Sequence, residues 1–315
     1  MFLKEMTDDK KEKHTAVFPM ILMGGLFVVI HILSILITQP FEAIGLDAFD
    51  NPNDPINLII FFAIMLTVTV TILLIAKFWK KQFIQVIILG SISYTAFFVF
   101  YPLLSFVFSD TLALLIAGIA AAALIVALIK YPEWYIIDLT GIIVGVGAIG
   151  IFGISLGVFL VIILLIGLSI YDAISVYKTK HMIDLADAVM DLRLPVMLVV
   201  PKSRTYSILK ETKGIKEKLE NKEEREAFFL GLGDIVMPGI LVVSAFQNIP
   251  DNGFLIALSV MIGTLIGFAV LMSVVIKGKP QAGLPYLCSG AILGYVVSSY
   301  LLFGYLAGLN LPVLS

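Results

Sequence analysis

Charged side chains are scarce in this chain. Asp, Glu, Lys and Arg make up 14% of its 315 residues, whereas a soluble domain usually carries about 25%. Hydrophobic residues make up 60% of the sequence, and the mean hydropathy is +1.04. These values exclude a water-soluble globular protein and predict a protein embedded in a lipid bilayer.

Residues that bind metals or form disulfide bonds are also few. Cys288 is the only cysteine, which excludes an internal disulfide bond and a thiolate metal cluster. The histidines His14, His31 and His181 form no His-Glu-x-x-His motif. We therefore expect no metal and no other cofactor, and we expect His31 to hydrogen-bond between helices. The net charge of −2 gives no reason to expect a nucleic-acid partner.

A cleavable signal peptide is not expected. Residues 1–14 are charged rather than apolar, and the first hydrophobic stretch is too long and has no Ala-x-Ala-like site after it. Runs of roughly 20 apolar residues are long enough to cross a bilayer as helices. We predict an all-α, polytopic membrane protein with nine such spans, at residues 16–38, 56–76, 83–106, 111–129, 135–152, 156–177, 227–248, 254–276 and 284–308.

The fifth and sixth spans come from one nearly uncharged stretch, residues 135–177. As a single helix it would be about 65 Å long, roughly twice what a membrane needs. A turn must divide it, and Gly153, Ser155 and Gly157 are the expected place. Three parts follow: helices one to six in 1–177, a loop in 178–226, and helices seven to nine in 227–315.

Lysine and arginine are absent from the odd-numbered loops between these spans. All 21 of them lie in the N-terminal tail or in an even-numbered loop, and eleven lie in the sixth loop. Basic residues favour cytoplasmic loops. We therefore predict a cytoplasmic N-terminus, an external C-terminus and a multi-pass protein of the cell membrane.

The sixth loop has three successive parts that differ in composition. Residues 181–193 have the apolar spacing of a short amphipathic helix. Residues 196–200, bracketed by Pro195 and Pro201, form a β-prone run. The rest, up to residue 226, is rich in Lys and Glu and is predicted to be solvated. The loop is a candidate hinge or flap, and a simple connector is the alternative.

Two aspartates lie inside predicted spans, where ionisable groups are costly and so are candidates for function. Asp172 lies about 9 Å inward from Lys178, and Asp234 lies about 14 Å inward from Arg225, if both segments are helical. Their helices are consecutive and antiparallel, so the two carboxyl groups can face each other. Two such groups a few Å apart would share one proton, which suits the activation of water in aspartyl proteolysis.

The neighbours of these aspartates strengthen this interpretation. Flexible backbone that permits close approach surrounds Asp234, at Gly231, Leu232, Gly233, Pro238 and Gly239. Tyr171 precedes Asp172, and its hydroxyl would line the same pocket, although interfacial tyrosines are also common. Asp138, four residues after Trp134, is interpreted as an interfacial residue, and a role in the site is the alternative.

At these residues the sequence resembles the presenilin and signal peptide peptidase family, the GxGD intramembrane aspartyl proteases. Their Tyr-Asp and Gly-x-Gly-Asp motifs are matched by Tyr171-Asp172 and by residues 231–234. The flanking residues 235–239 are similar to the signal peptide peptidase branch, whereas the predicted orientation is similar to presenilin. A prokaryotic-type homologue would combine these two features. The family's Pro-Ala-Leu motif corresponds to Ala282, Gly283 and Leu284, followed by Pro285, and departs at two of three positions.

The resemblance implies that Asp172 and Asp234 are catalytic, that the substrates are transmembrane helices, and that residues 282–285 help to position them. Cleavage requires local unwinding of the substrate, whose freed backbone must find partners in the protein because lipid offers none. Strand addition would supply such partners, and residues 282–285 and 196–200 are the expected providers. The chain is expected to act alone or as a homo-oligomer.

Two other functions use similar residues. A proton- or cation-coupled transporter can use paired aspartates as a relay, but transporters often contain two related halves, and none is evident here. Prepilin peptidases also use Gly-x-Gly-Asp, whereas the Tyr-Asp motif, the helix count and Leu284-Pro285 favour the presenilin-like interpretation. The transporter is the second hypothesis.

Overall fold

A computed structural model describes residues 2–78, 81–179, 197–203, 206–208, 227–275 and 281–309. Within these ranges the chain is mostly helical, with one small sheet. The helices are α1 Phe2–Ala43, α2 Ile56–Phe78, α3 Lys81–Ser105, α4 Asp110–Lys130, α5 Trp134–Ser155, α6 Val158–Ile174, α7 Leu232–Asn248, α8 Gly253–Val275 and α9 Leu284–Phe303. A π-helical turn, Ser175–Thr179, continues α6, and the strands are β1 Met197–Pro201 and β2 Ala227–Gly231.

Most of these helices are suited to a bilayer. Among the described residues, seven helical segments are long and apolar enough to cross a membrane, and Ile56–Thr71 and Leu232–Asn248 are shorter apolar helices. The prediction of a multi-pass, mainly helical membrane protein is therefore confirmed.

The predicted break between the fifth and sixth spans is also confirmed, since α5 ends at Ser155 and α6 begins at Val158. The N–H of Gly157 donates to the Pro52 carbonyl at 2.8 Å. A Cβ at Gly157 would collide with the side chain of Asn53. The glycine thus allows the loop between α1 and α2 to pack closely against this turn.

The seventh predicted span is wrong in its first five residues. Residues 227–248 were expected to form one helix, but Ala227–Gly231 is strand β2 and α7 begins at Leu232. β2 pairs with β1 in antiparallel register, with Val199 opposite Phe229. This pairing satisfies backbone groups that a helix would otherwise satisfy internally. The all-α prediction therefore holds for the spans but misses a two-stranded sheet.

The β-prone run is confirmed for residues 197–200, which lie in β1. Its side chains alternate, as expected for a strand. Leu198 and Val200 pack into the main core, and Val199 packs on the other side with residues that include Ile137. The predicted amphipathic helix at 181–193, Val196 and most of the charged segment 202–226 lie outside the described residues.

Helix α7 lies at the centre of the bundle, where it packs against α1, α5, α6, α8 and α9. Two buried polar contacts connect it to its neighbours. The Nε2 of His31 donates to the Ile235 carbonyl at 3.2 Å, which confirms the expected bond between helices. The hydroxyl of Ser244 donates to the Leu156 carbonyl at 2.6 Å. Both ends of α7 are therefore held in place by hydrogen bonds.

Helices α8 and α9 approach each other closely through glycines. A Cβ on Gly263 would collide with the carbonyl of Gly290, and a Cβ on Gly290 would collide with the carbonyl of Gly263. Small residues of this kind allow helix backbones to come together in membranes. The contact fixes α9, and with it the segment that precedes α9.

We expect Gly263→Ala to destabilise the protein by about 1–3 kcal/mol, because the added methyl group overpacks this contact. The control is Gly118→Ala in α4, where a Cβ would meet nothing within 4 Å. Thermal unfolding in detergent should show a lower Tm for the first variant and an unchanged or slightly higher Tm for the second. Equal Tm values for the two variants would contradict the close packing.

Candidate active site

Asp172 lies near the end of α6, just before the π-helical turn. Its side chain is 3% exposed. The backbone N–H of Leu284 donates to its Oδ2 at 3.1 Å, and the backbone of Gly283 also approaches the carboxyl group. This carboxyl group is therefore oriented by the segment that leads into α9.

Asp234 lies in the first turn of α7, three residues after β2 ends at Gly231. The positive end of the helix dipole favours a carboxylate at this position. The side chain is half-buried and lies against Gly283, where a Cβ would be 2.8 Å from its Oδ2. On the other side it lies near Gly231, where the corresponding distance is 3.4 Å.

The two carboxyl groups thus contact two consecutive residues of the segment before α9. Asp172 is bonded to the N–H of Leu284, Asp234 contacts Gly283, and the groups are close enough to interact electrostatically. Contacts of α6 with α7, and of α9 with both, bring them together. The arrangement provides two acidic side chains beside one stretch of backbone, which suits acid–base chemistry on a water molecule.

Gly283 lies very close to the carboxyl group of Asp234. It occupies the middle position of the segment similar to Pro-Ala-Leu, where the family motif has alanine. In this arrangement the β-carbon of an alanine would be within 3.0 Å of three carboxyl atoms of Asp234. The departure from the motif therefore coincides with a close approach of the Asp234 carboxyl group to the backbone.

The other predicted site residues are not equally close to the two aspartates. Ala282 is fully buried, and Pro285 lies in the first turn of α9. Leu232 is buried in the main core, whereas a Cβ on Gly233 would meet nothing within 4 Å. Tyr171 is 66% exposed, so its side chain does not line the space between the carboxyl groups in this conformation.

Two residues beside Asp172 were not identified from the sequence. The hydroxyl of Ser169 donates to the Leu165 carbonyl at 2.7 Å and lies 3.5 Å from the Leu284 carbonyl. The thiol of Cys288 lies beside Ser169. Helical spacing was the available signal, because Ser169 precedes Asp172 by three residues and Cys288 follows Leu284 by four.

A further contact joins α6 to the same segment. The hydroxyl of Tyr177, in the π-helical turn, donates to Oε1 of Gln281 at 2.7 Å. Single π-helical turns often occur at functional sites. The end of α6 is therefore tied to residues 281–284 by a side-chain bond as well as by Asp172.

Asp138 is buried against strand β1. It is 7% exposed and accepts a hydrogen bond from the N–H of Val199 at 2.7 Å. It therefore contacts β1 and not the pair of aspartates.

As for metals, the part of the chain that the structure describes contains no group of three or more His, Cys, Asp or Glu residues placed to hold an ion.

Comparisons with known proteins identify the family of this chain. A family model described as signal-peptide peptidase, presenilin aspartyl protease matches residues 24–304. A crystal structure of a presenilin-family intramembrane aspartate protease in space group C222 is similar, with 33% identity and a TM-score of 0.69 over 90% of this chain and 99% of that chain. Another, in space group P2, has 34% identity and a TM-score of 0.65 over 89% and 96%.

No curated protein matches this sequence. The family match nevertheless covers most of the chain, and both solved structures are more than 30% identical to it over nearly their whole lengths. The chain therefore belongs to the signal-peptide peptidase and presenilin family and is an intramembrane aspartyl protease.

Proposed function

We propose that Asp172 and Asp234 are the catalytic pair and that they cleave transmembrane helices, including signal peptides, within the bilayer. The observation that carries this proposal is the contact of both carboxyl groups with consecutive backbone positions, 283 and 284. The main alternative, a coupled transporter, is not favoured, because the matched family consists of proteases.

The mechanism follows from one proton shared by two close carboxyl groups. The ionised group removes a proton from water, and the water oxygen attacks the scissile carbonyl carbon. The protonated group donates to the carbonyl oxygen as the tetrahedral intermediate forms. When the carbon–nitrogen bond breaks, the carboxyl group that took the water proton gives it to the leaving amine. The other carboxylate takes a proton from a hydroxyl group of the tetrahedral intermediate, so the pair returns to its singly protonated state.

The substrate must lose its helical hydrogen bonds before this reaction, and lipid cannot replace them. We propose that the unwound segment adds to the β1–β2 sheet and lies beside residues 282–285. The N–H of Val199 is already bonded to Asp138. Since backbone groups alternate in direction in antiparallel pairs, the N–H of Phe229 points away from β1. The outer edge of β2 is therefore the proposed docking edge, and β1, which contains residues 197–200 of the β-prone run, lies on the other side of β2.

We further propose nine spans, with a cytoplasmic N-terminus and an external C-terminus in the cell membrane. The distribution of all 21 basic residues supports this orientation. It puts β1, which lies within the sixth loop, and β2, which directly follows that loop, on the cytoplasmic side. Both aspartates belong to one chain, so we propose that one subunit suffices for catalysis, and a homo-oligomer would contain one complete site per subunit.

Asp172→Asn and Asp234→Asn should each reduce cleavage of a single-span substrate in detergent by at least about 10³-fold. Either change leaves only one carboxyl group, so the two groups can no longer share a proton and act as base and acid together. The matched control is Asp110→Asn at the exposed start of α4, which should retain full activity. Product formation is followed by mass spectrometry, and Tm values check folding. Cleavage by either site variant at the normal rate would rule out the pair. Solute flux in sealed liposomes without cleavage would support a transporter.

Crosslinking tests the substrate contacts. A substrate with a photoreactive residue on either side of the scissile bond is bound to the Asp234→Asn variant, irradiated, digested and mapped. We expect labelled peptides from β2 and from residues 282–285, because these flank Asp234. A substrate with the probe six residues further along its helix is the control and should label elsewhere. Labelling of neither region by the first substrate would contradict the proposed docking.

A further inference from the structure

Asp138 is a buried carboxyl group that the proposed mechanism does not use. Ionisable side chains inside a membrane protein are costly and are usually retained for a function. Asp138 lies in the second turn of α5, is 7% exposed, and accepts a 2.7 Å hydrogen bond from the N–H of Val199, 61 residues away in the sequence. It is thus a long-range connection between a transmembrane helix and the sheet.

The position of this bond in the sheet is informative. Val199 is the middle residue of β1 and lies opposite Phe229 of β2. The N–H of Val199 points to Asp138, so the backbone groups of Val199 face away from β2. Because backbone groups alternate in direction along an antiparallel strand, Leu198 and Val200 are the residues that hydrogen-bond to β2. Asp138 therefore occupies the outer edge of β1 at its centre, and β2 occupies the other edge.

A second contact from the same face of α5 holds the same strand. Gly141 follows Asp138 by three residues, so both lie on one side of the helix. A Cβ on Gly141 would be 2.8 Å from Cδ2 of Leu198, so the Leu198 side chain packs against the backbone of α5 there. One polar contact and one steric contact thus fix two successive residues of β1 against α5.

The position of β1 determines the position of β2, and β2 ends three residues before Asp234. A substrate strand that pairs with β2 is therefore placed relative to Asp234 by a chain of contacts that begins at α5. If the outer edge of β1 were open, a substrate could also pair there, at a different distance from the carboxyl groups.

We propose that Asp138 is a positioning residue that sets which substrate peptide bond reaches the catalytic pair, by closing the outer edge of β1 and holding the sheet against α5. This inference rests on the proposed docking of substrate on β2. A strand that slips by one residue turns all its side chains to the opposite face, whereas a slip of two residues preserves them. Loss of Asp138 should therefore produce cleavage about two residues from the normal site.

The test compares Asp138→Asn with Asp138→Leu in the full-length protein. Asparagine keeps a side-chain oxygen that accepts from the Val199 N–H, whereas leucine has similar size and no acceptor. Product masses, kcat and KM are measured with one single-span substrate, and Tm values are recorded. We expect normal products from the asparagine variant. We expect displaced products and a KM raised by about 3- to 10-fold from the leucine variant, as for one lost hydrogen bond.

The matched control is Thr140→Val. Thr140 is also buried in α5, but its hydroxyl donates to the Ile136 carbonyl of the same helix. Its product pattern should be unchanged. If the leucine variant does not fold, Val199→Pro removes the same bond from the strand side at a position that does not donate to β2. It should displace the products in the same way.

Unchanged products from Asp138→Leu, or from Val199→Pro if the leucine variant does not fold, would overturn the inference. Equal displacement by Asp138→Asn and Asp138→Leu would overturn it too, because the acceptor would then be irrelevant. Failure of the proposed function looks different, since Asp172→Asn would then still cleave. An inactive Asp172→Asn variant together with normal products from Asp138→Leu would reject only the role of Asp138.

Discussion

Two carboxyl groups share one short stretch of backbone in this protein. Asp172 is bonded to the N–H of Leu284, and Asp234 lies against Gly283. Both carboxyl groups contact the segment before α9, and that segment is positioned in turn by the close packing of α8 on α9 through Gly263 and Gly290. A pair of aspartates that must share a proton requires such fixed separation, because the interaction between them depends steeply on distance.

Backbone hydrogen bonding is the second constraint. Helices satisfy their own backbone groups, but the chain just before Asp234 is extended and must find partners elsewhere. β1 supplies them on one side of β2, and Asp138 closes the far side of β1. A substrate that must be unwound for cleavage has the same requirement. The sheet thus provides hydrogen-bond partners for the extended backbone of the enzyme itself, which is what an unwound substrate also needs.

Helix α7 connects these two constraints. It begins where β2 ends, carries Asp234 in its first turn and runs through the centre of the bundle. Polar contacts from His31 and Ser244 hold it at both ends. Most of its remaining surface is buried. The catalytic geometry therefore depends on helices that contribute no candidate catalytic residue, α1 and α5 among them.

Sequence patterns alone were enough to predict the membrane character, the break between α5 and α6, and the two aspartates as site candidates. These features follow from composition, from the length of apolar runs and from the rarity of charge inside them, all of which are local properties. The sequence also indicated β1 through a β-prone run between two prolines.

Four features became apparent only in the folded chain: α7 starts at Leu232, Asp138 bonds to β1, Tyr171 faces outward, and Gly283 lies against Asp234. Each of these depends on residues that are distant in the sequence. Residues 227–231 are apolar enough for a membrane helix, and they become a strand because β1 is beside them. Local composition cannot distinguish these outcomes, since the deciding hydrogen bonds and contacts exist only when the chain is folded.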